Sequence, residues 1–271
     1  MAIDKISGTA WTAISNIQGV AKSGIANILG QTPPSTGGGT ATISNITYIE
    51  PSSTFDSGWT INHQSPTAGQ LILLIGTGGK DVYDSADTVT NMTATGFTNI
   101  LDQGPNNTVD GYQGSGTINV FTRIATGSEG TSSIAMDQDK SNYTIFWYIT
   151  IDNANTTTPV NVIGSVSTSF SGPPSVVADA ITTTTAGSIA FAVFATRGNA
   201  FNPFTVSGTG WPTSPTDDDD MPNSFNSVFD GTSGGFAYKA MPTAGTTNDL
   251  TVTANSAGGG VIHAVQFAVQ P

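Results

Sequence analysis

The chain has 271 residues, 37% hydrophobic and 10% charged, with 32 Gly, 14 Pro and no Cys. The lack of Cys excludes disulfide frameworks, Cys-built zinc clusters and thiol catalysis, and a formal net charge of -12 with 7 scattered bases lacks the basic stripe that nucleic acid or anionic lipid requires. No apolar run approaches the roughly 18 to 20 residues of a membrane span and the opening MAIDKISGTAW holds no signal-peptide core, so the expectation is a soluble chain, not exported by that route, with no nucleic-acid partner and no membrane insertion.

Residues 1–30 differ from the rest. Ile14-Ser15-Asn16-Ile17-Gln18-Gly19 and Ile25-Ala26-Asn27-Ile28-Leu29-Gly30 repeat the pattern Ile-x-Asn-Ile-x-Gly at an offset of 11 residues. Each unit is too short to bury its own isoleucines, so the segment reads either as a short helix or strand packed on its own domain or as a docking arm whose candidate contacts are Trp11, Ile14, Ile17, Val20, Ile25 and Ile28. Residues 31–40, QTPPSTGGGT, form a Pro/Gly linker. From 41 to 271 the pattern is strand after strand: 41–50, 70–76, 116–124, 143–151, 188–196, 235–239, 249–253 and 261–269. These runs are rich in β-branched and aromatic residues and are separated by Gly, Pro, Asn and Asp, which predicts an all-β, antiparallel sandwich or barrel. LILLI at 71–75 and IAFAVF at 189–194 are nearly continuous and are expected to be central strands buried on both faces.

The strand plan repeats. Ala68-Gly69-Gln70-Leu71-Ile72-Leu73 corresponds to Ala186-Gly187-Ser188-Ile189-Ala190-Phe191, Gly96-Phe97 to Gly210-Trp211, and Val120-Phe121-Thr122-Arg123 to Ala237-Tyr238-Lys239-Ala240, each half closing on an apolar strand. A single two-sheet sandwich is preferred over two small domains, because no second linker like 31–40 divides the halves.

Chemistry-bearing residues are sparse. His63 and His263 are the only histidines and Glu50 and Glu129 the only glutamates. Gly114-Ser115-Gly116 and Gly127-Ser128 lack the strand-to-helix setting of a nucleophile elbow, His263 within an apolar strand reads as structural, and Glu129 reads as a turn acid. The runs holding Asp81 and Asp84, and Asp217, Asp218, Asp219 and Asp220, offer hard oxygen ligands without the spacing of a helix-loop-helix calcium loop. They read as solvated loops that could meet at one end of the sandwich to take an ion or a partner. Calcium is the one ion they suggest; no cofactor is called for, and no enzyme is expected.

The segments WTAISNIQGVAKSGIANILG, AGQLILLIGTGG, GFTNI, INVFTRIATGSE, TTTPVNV and ITTTTAGSIAFAVFATRG together resemble structural proteins of tailed bacteriophages that carry concanavalin-like or jelly-roll domains. The resemblance implies a virion component, assembled in the host cytoplasm, that attaches through its N-terminal arm to a major capsid or tail protein. It would display a sandwich as capsid decoration or fibre and associate as a homo-oligomer, with a trimer the expected symmetry. Two other readings stand beside it: a tail module that binds host-surface glycan through aromatics such as Trp59, Trp211 or Tyr112, and a depolymerase built on paired acids.

Overall fold

The protein was analysed as a computed structural model, which describes residues 5–6, 9–10, 16–17, 20–21, 39–49, 58–80, 92–103, 115–136, 142–169, 175–197, 204–212, 224–229, 232–254 and 262–271. Among them there is no helix. Within residues 1–30, β1 (Lys5–Ile6) pairs with β2 (Thr9–Ala10), and β3 (Asn16–Ile17) pairs with β4 (Val20–Ala21). The two small ladders lie 11 residues apart and share the register of the sequence repeat, which exposes a third copy, Ile3-Asp4-Lys5-Ile6-Ser7-Gly8, that reading from Ile14 onward misses. Ile17 faces Val20 across the second ladder; Trp11, Ile14, Ile25 and Ile28 lie outside the described residues.

The body begins at Ala41. Its first half contains β5 (Thr42–Ile49), β6 (Gly58–Asn62), β7 (Leu71–Lys80), β8 (Met92–Ala94), β9 (Thr98–Gln103), β10 (Ser115–Ile124), β11 (Thr131–Met136) and β12 (Asn142–Asp152). The second half contains β13 (Val160–Ile163), β14 (Ser167–Ser169), β15 (Ser175–Ala178), β16 (Thr182–Thr183), β17 (Ser188–Arg197), β18 (Phe204–Ser207), β19 (Ser224–Phe229), β20 (Thr232–Met241), β21 (Gly245–Thr246), β22 (Leu250–Ala254) and β23 (Ile262–Val269). The large sheets run β5-β12-β7-β10-β9 and β13-β23-β17-β20-β19, with β14 also on β23, and the small ones run β6-β11-β8 and β15-β22-β18. Every pairing is antiparallel, and each of the eight strands of the first half has a counterpart in the second, which adds β14 and the short ladder of β16 with β21.

The ladders also correct the alignment of the repeat. Arg123 pairs with Ile72, and Lys239 pairs with Ala190, the residue equivalent to Ile72. Val120 to Arg123 therefore match Phe236 to Lys239, one residue earlier than the sequence match, and in a strand that slip moves every side chain to the other face.

The two large sheets stack on each other, and each small sheet covers the outer face of its own large sheet. Leu71, Leu73 and Ile75 of β7 meet Phe191, Val193, Phe236, Val265 and Phe267 in one shared core. The alternate residues Ile72 and Leu74 instead pack with Ile61, Met92, Phe121, Phe146 and Tyr148 under the first small sheet. Ala190, Ala192 and Phe194 do the same with Val176, Val206, Leu250 and Val252 in the second half. Burial on both faces is why LILLI and IAFAVF carry no polar alternation. The body therefore has four layers and one continuous central core, where the sequence reading has a single pair of sheets.

Strand direction gives the body two different ends. At one, Thr42 pairs with Asp152 and Ile151 with Leu71, the Ala41 amide donates to the Gly187 carbonyl at 2.9 Å, and Asn155 N–H donates to the Gln270 carbonyl at 2.9 Å. Residues 39–42, the link between the halves and the C-terminal residues thus share this end with the tight turns at Gly69 and Gly187, whose φ values of 89° and 78° favour glycine. At the other end stand Lys80 paired with Ser115, Met136 with Met92, Ser169 with Ile262, and Arg197 with Thr232. The strand ends there lead into segments 50–57, 81–91, 104–114, 137–141, 170–174, 198–203, 230–231 and 255–261.

Candidate functional site

The duplicated plan places an aromatic ring and a cation at the same spot in each half. Gly96 and Gly210, with φ of 79° and 75°, turn the chain so that Phe97 and Trp211 lie beside the equivalent bases of β10 and β20. The Arg123 guanidinium carbon sits 5.9 Å from the Phe97 ring centroid and Lys239 Nζ sits 4.7 Å from that of Trp211. Around these pairs the halves diverge.

In the second half the spot is closed. Trp211 is buried, and its Nε1 donates to the Asn248 carbonyl at 3.1 Å. Lys239 Nζ donates to the Thr247 carbonyl, and desolvation lowers its pKa. Gln266, wholly buried, donates to the carbonyls of Ala178 at 2.8 Å and Asn248 at 3.0 Å and lies 2.5 Å from Thr247 Oγ1. Trp211 is therefore not a sugar-stacking platform. Tyr112 lies outside the described residues, and of Trp59 only the backbone is described.

In the first half the residue equivalent to Gln266 is Tyr148, and it belongs to a polar relay. His63 Nδ1 lies 3.0 Å from Tyr148 Oη, His63 Nε2 lies 2.8 Å from Ser132 Oγ, and Arg123 Nη1 donates to the same Oγ at 3.4 Å. Arg123 only donates, so Ser132 Oγ accepts from it, and with one proton and a second lone pair the same oxygen can pair with His63 Nε2 in either imidazole tautomer. His63 also stacks on Phe97 at 5.9 Å. Burial and then Arg123 lower its pKa, with Glu129 opposing. Burial raises the Tyr148 pKa to about 12, with Glu129 adding to the rise. Desolvation alone would raise the Glu129 pKa, but hydrogen bonds from the amide and hydroxyl of Thr126 and the Gly127 amide outweigh it and hold the carboxyl at about 2, with Arg123 3.7 Å away.

The distance from His63 to Ser132 is that of a base and a nucleophile. Ser132, however, is buried in the middle of a three-stranded sheet, its oxygen already engaged by two partners, and a phenol replaces the carboxylate that would orient the imidazole. The relay is a satisfied structural network. Its serine is neither Ser115 nor Ser128, and only the fold brings it to His63.

His263 is fully buried on β23, with Nδ1 2.8 Å from Thr168 Oγ1, and desolvation lowers its pKa to about 4. Asp81, Asp84 and Asp217 to Asp220 lie outside the described residues. Their flanking residues nevertheless show that the two acidic runs attach differently. The first run follows β7, whereas the second follows Pro212, beyond the Trp211 turn, and the counterpart of segment 81–91 is 198–203. Among the described residues no group of three or more His, Asp and Glu is placed to hold a metal ion.

A cleft of about 430 Å³ opens on the shared-core face of the first large sheet, at the end where Ala41 lies, between β9, the edge strand among the described residues, and the link joining the halves. Leu71, Ile100 and Ile124, which border the shared core, form its floor. Thr98, Thr122 and residues 156–160 complete its walls. The link is stiff: Asn155 Oδ1 accepts from the amides of Thr157 and Thr158 at 2.9 and 2.8 Å, and Gln270 Nε2 donates to the Thr158 carbonyl at 2.6 Å.

No protein-family model, characterised protein or solved structure matches this chain.

Proposed function

We propose that the protein is a structural component of a tailed-bacteriophage particle, anchored by residues 1–30 to a capsid or tail protein and displaying the stacked β-sandwich outward. The observation that carries this reading is the two-ended body. The arm root, the inter-half link and the C-terminal residues gather at one end, while the strand ends leading into 50–57, 81–91, 104–114, 137–141, 170–174, 198–203, 230–231 and 255–261 lie at the other; the connection from β18 to β19, with Asp217 to Asp220, leaves from the opposite end of β18. The segments from 50–57 to 255–261 that follow those strand ends hold Glu50, Asp56, Asp81, Asp84, Asp87, Asp110, Asp137, Asp139 and Asp230 against one base, Lys140. A protein held by its arm would turn this acidic end away from the particle.

The arm supports the reading in a second way. Paired strands of two residues are far below the size at which a hairpin is stable alone, and the repeated isoleucines need a surface to cover them. Many copies on a repeating shell would add their separate affinities. The eight strands common to both halves, a large sheet against a small one, also suit the jelly-roll type that the resemblance implies.

The test is mass spectrometry of purified particles of the encoding phage, followed by electron microscopy with an antibody against residues 41–271. The full chain is expected on the particles, and a chain lacking residues 1–30 is expected to fold but stay off them. Particles free of the protein would refute the reading, and a truncated chain still incorporated would refute the arm as anchor.

A further inference from the structure

The geometry points to the cleft between β9 and the inter-half link as a binding site for a neutral saccharide. The first ground is its chemistry. Thr98, Thr122, Thr156 and Thr157 border it, and among the described residues no hydrogen bond occupies their hydroxyls, so each can both donate and accept. Among the described lining residues Arg123 alone is ionisable, and its guanidinium faces Ser132, Glu129 and the Phe97 ring. A charged ligand would lose hydration with nothing to replace it. A molecule with many hydroxyls and an aliphatic face matches both the threonine rim and the floor of Leu71, Ile100 and Ile124.

The second ground is the internal duplicate. Thr122 pairs with Leu73 as Tyr238 pairs with Phe191, so threonine stands where the second half has a tyrosine packed against the shared core. The frame accommodates a large ring at this position, and the first half leaves the space open. A volume of about 430 Å³ lies within the range of small-ligand sites. This inference goes beyond the anchoring role and does not depend on it.

The experiment uses the full chain with D-glucose, D-galactose, D-mannose and N-acetyl-D-glucosamine, each up to roughly 10 mM, followed by saturation-transfer NMR. At least one sugar is expected to bind with a dissociation constant on the order of 1 mM, because an open site without a stacking ring gives low ligand efficiency. Thr122→Tyr should fill the cleft and abolish the signal without lowering the melting temperature. If that variant does not fold, the double variant T156V/T157V on the exposed link replaces it and should weaken binding at least about fivefold. Failure of all four sugars to bind, or binding unchanged in the folded variant, would overturn the assignment. Neither result bears on whether the protein is found on particles.

Discussion

Replacing His263 with Gln should remove most of a specific acid weakness. The imidazole is wholly buried, and desolvation holds its pKa at about 4 against 6.5 for an ordinary histidine. A base whose folded pKa lies below its unfolded one binds fewer protons in the folded state, so its stabilising share is whole above pH 6.5 and is lost as pH falls toward 4. A difference of about 2.5 pK units corresponds to about 3 kcal/mol. Urea unfolding of the native chain and of His263→Gln at intervals from pH 7 to pH 4 isolates this share, because the many aspartates titrate equally in both. The native chain should lose about 3 kcal/mol relative to the variant across that window. A pH-independent difference, or an NMR titration placing His263 near 6.5, would refute the desolvation argument.

Other outcomes follow from the same packing. Gly234→Ala should cost about 1–3 kcal/mol in chemical unfolding, since a Cβ there would collide with Thr77 across the stacked sheets. Leu73→Ala in the shared core should cost about 2–5 kcal/mol and shift a single transition seen equally by probes in both halves; two separated transitions would contradict a common core. Glu129 should remain ionised down to about pH 2 by NMR, its stabilising share present above 4.5 and lost as pH falls toward 2. Trp211→Ala should destabilise by about 3–5 kcal/mol, whereas a surface tryptophan would cost far less.

The all-β class, the position of most strands and the duplication were legible in the chain because each rests on local evidence. LILLI and IAFAVF announce burial on both faces by their composition, and matched Ala-Gly turns mark equivalent strands. What could not be read was which surfaces those strands share. The two buried faces of β7 are identical as a string of letters, yet one faces its own small sheet and the other faces the second half. The register of β20 was displaced by one residue because Phe121-Thr122 and Ala237-Tyr238 differ in size, so similarity of type misleads where hydrogen bonding decides. The relay at His63 was hidden for a related reason. Its partners Ser132 and Tyr148 lie 69 and 85 residues away, and neither sits in a recognisable motif. Trp211 looked available because an aromatic after a glycine turn carries no mark of burial; only Asn248 and Lys239 folding over it show that it is covered.

The stacking of the two large sheets has a consequence for assembly. Each half, taken alone, would present a broad apolar sheet face that invites a second molecule. Joined in one chain, the halves satisfy each other through Phe191, Phe236, Trp147 and Phe267, so the strongest adhesive surface of the module is consumed before any neighbour is met. Crowding copies together then does not fuse them through this core.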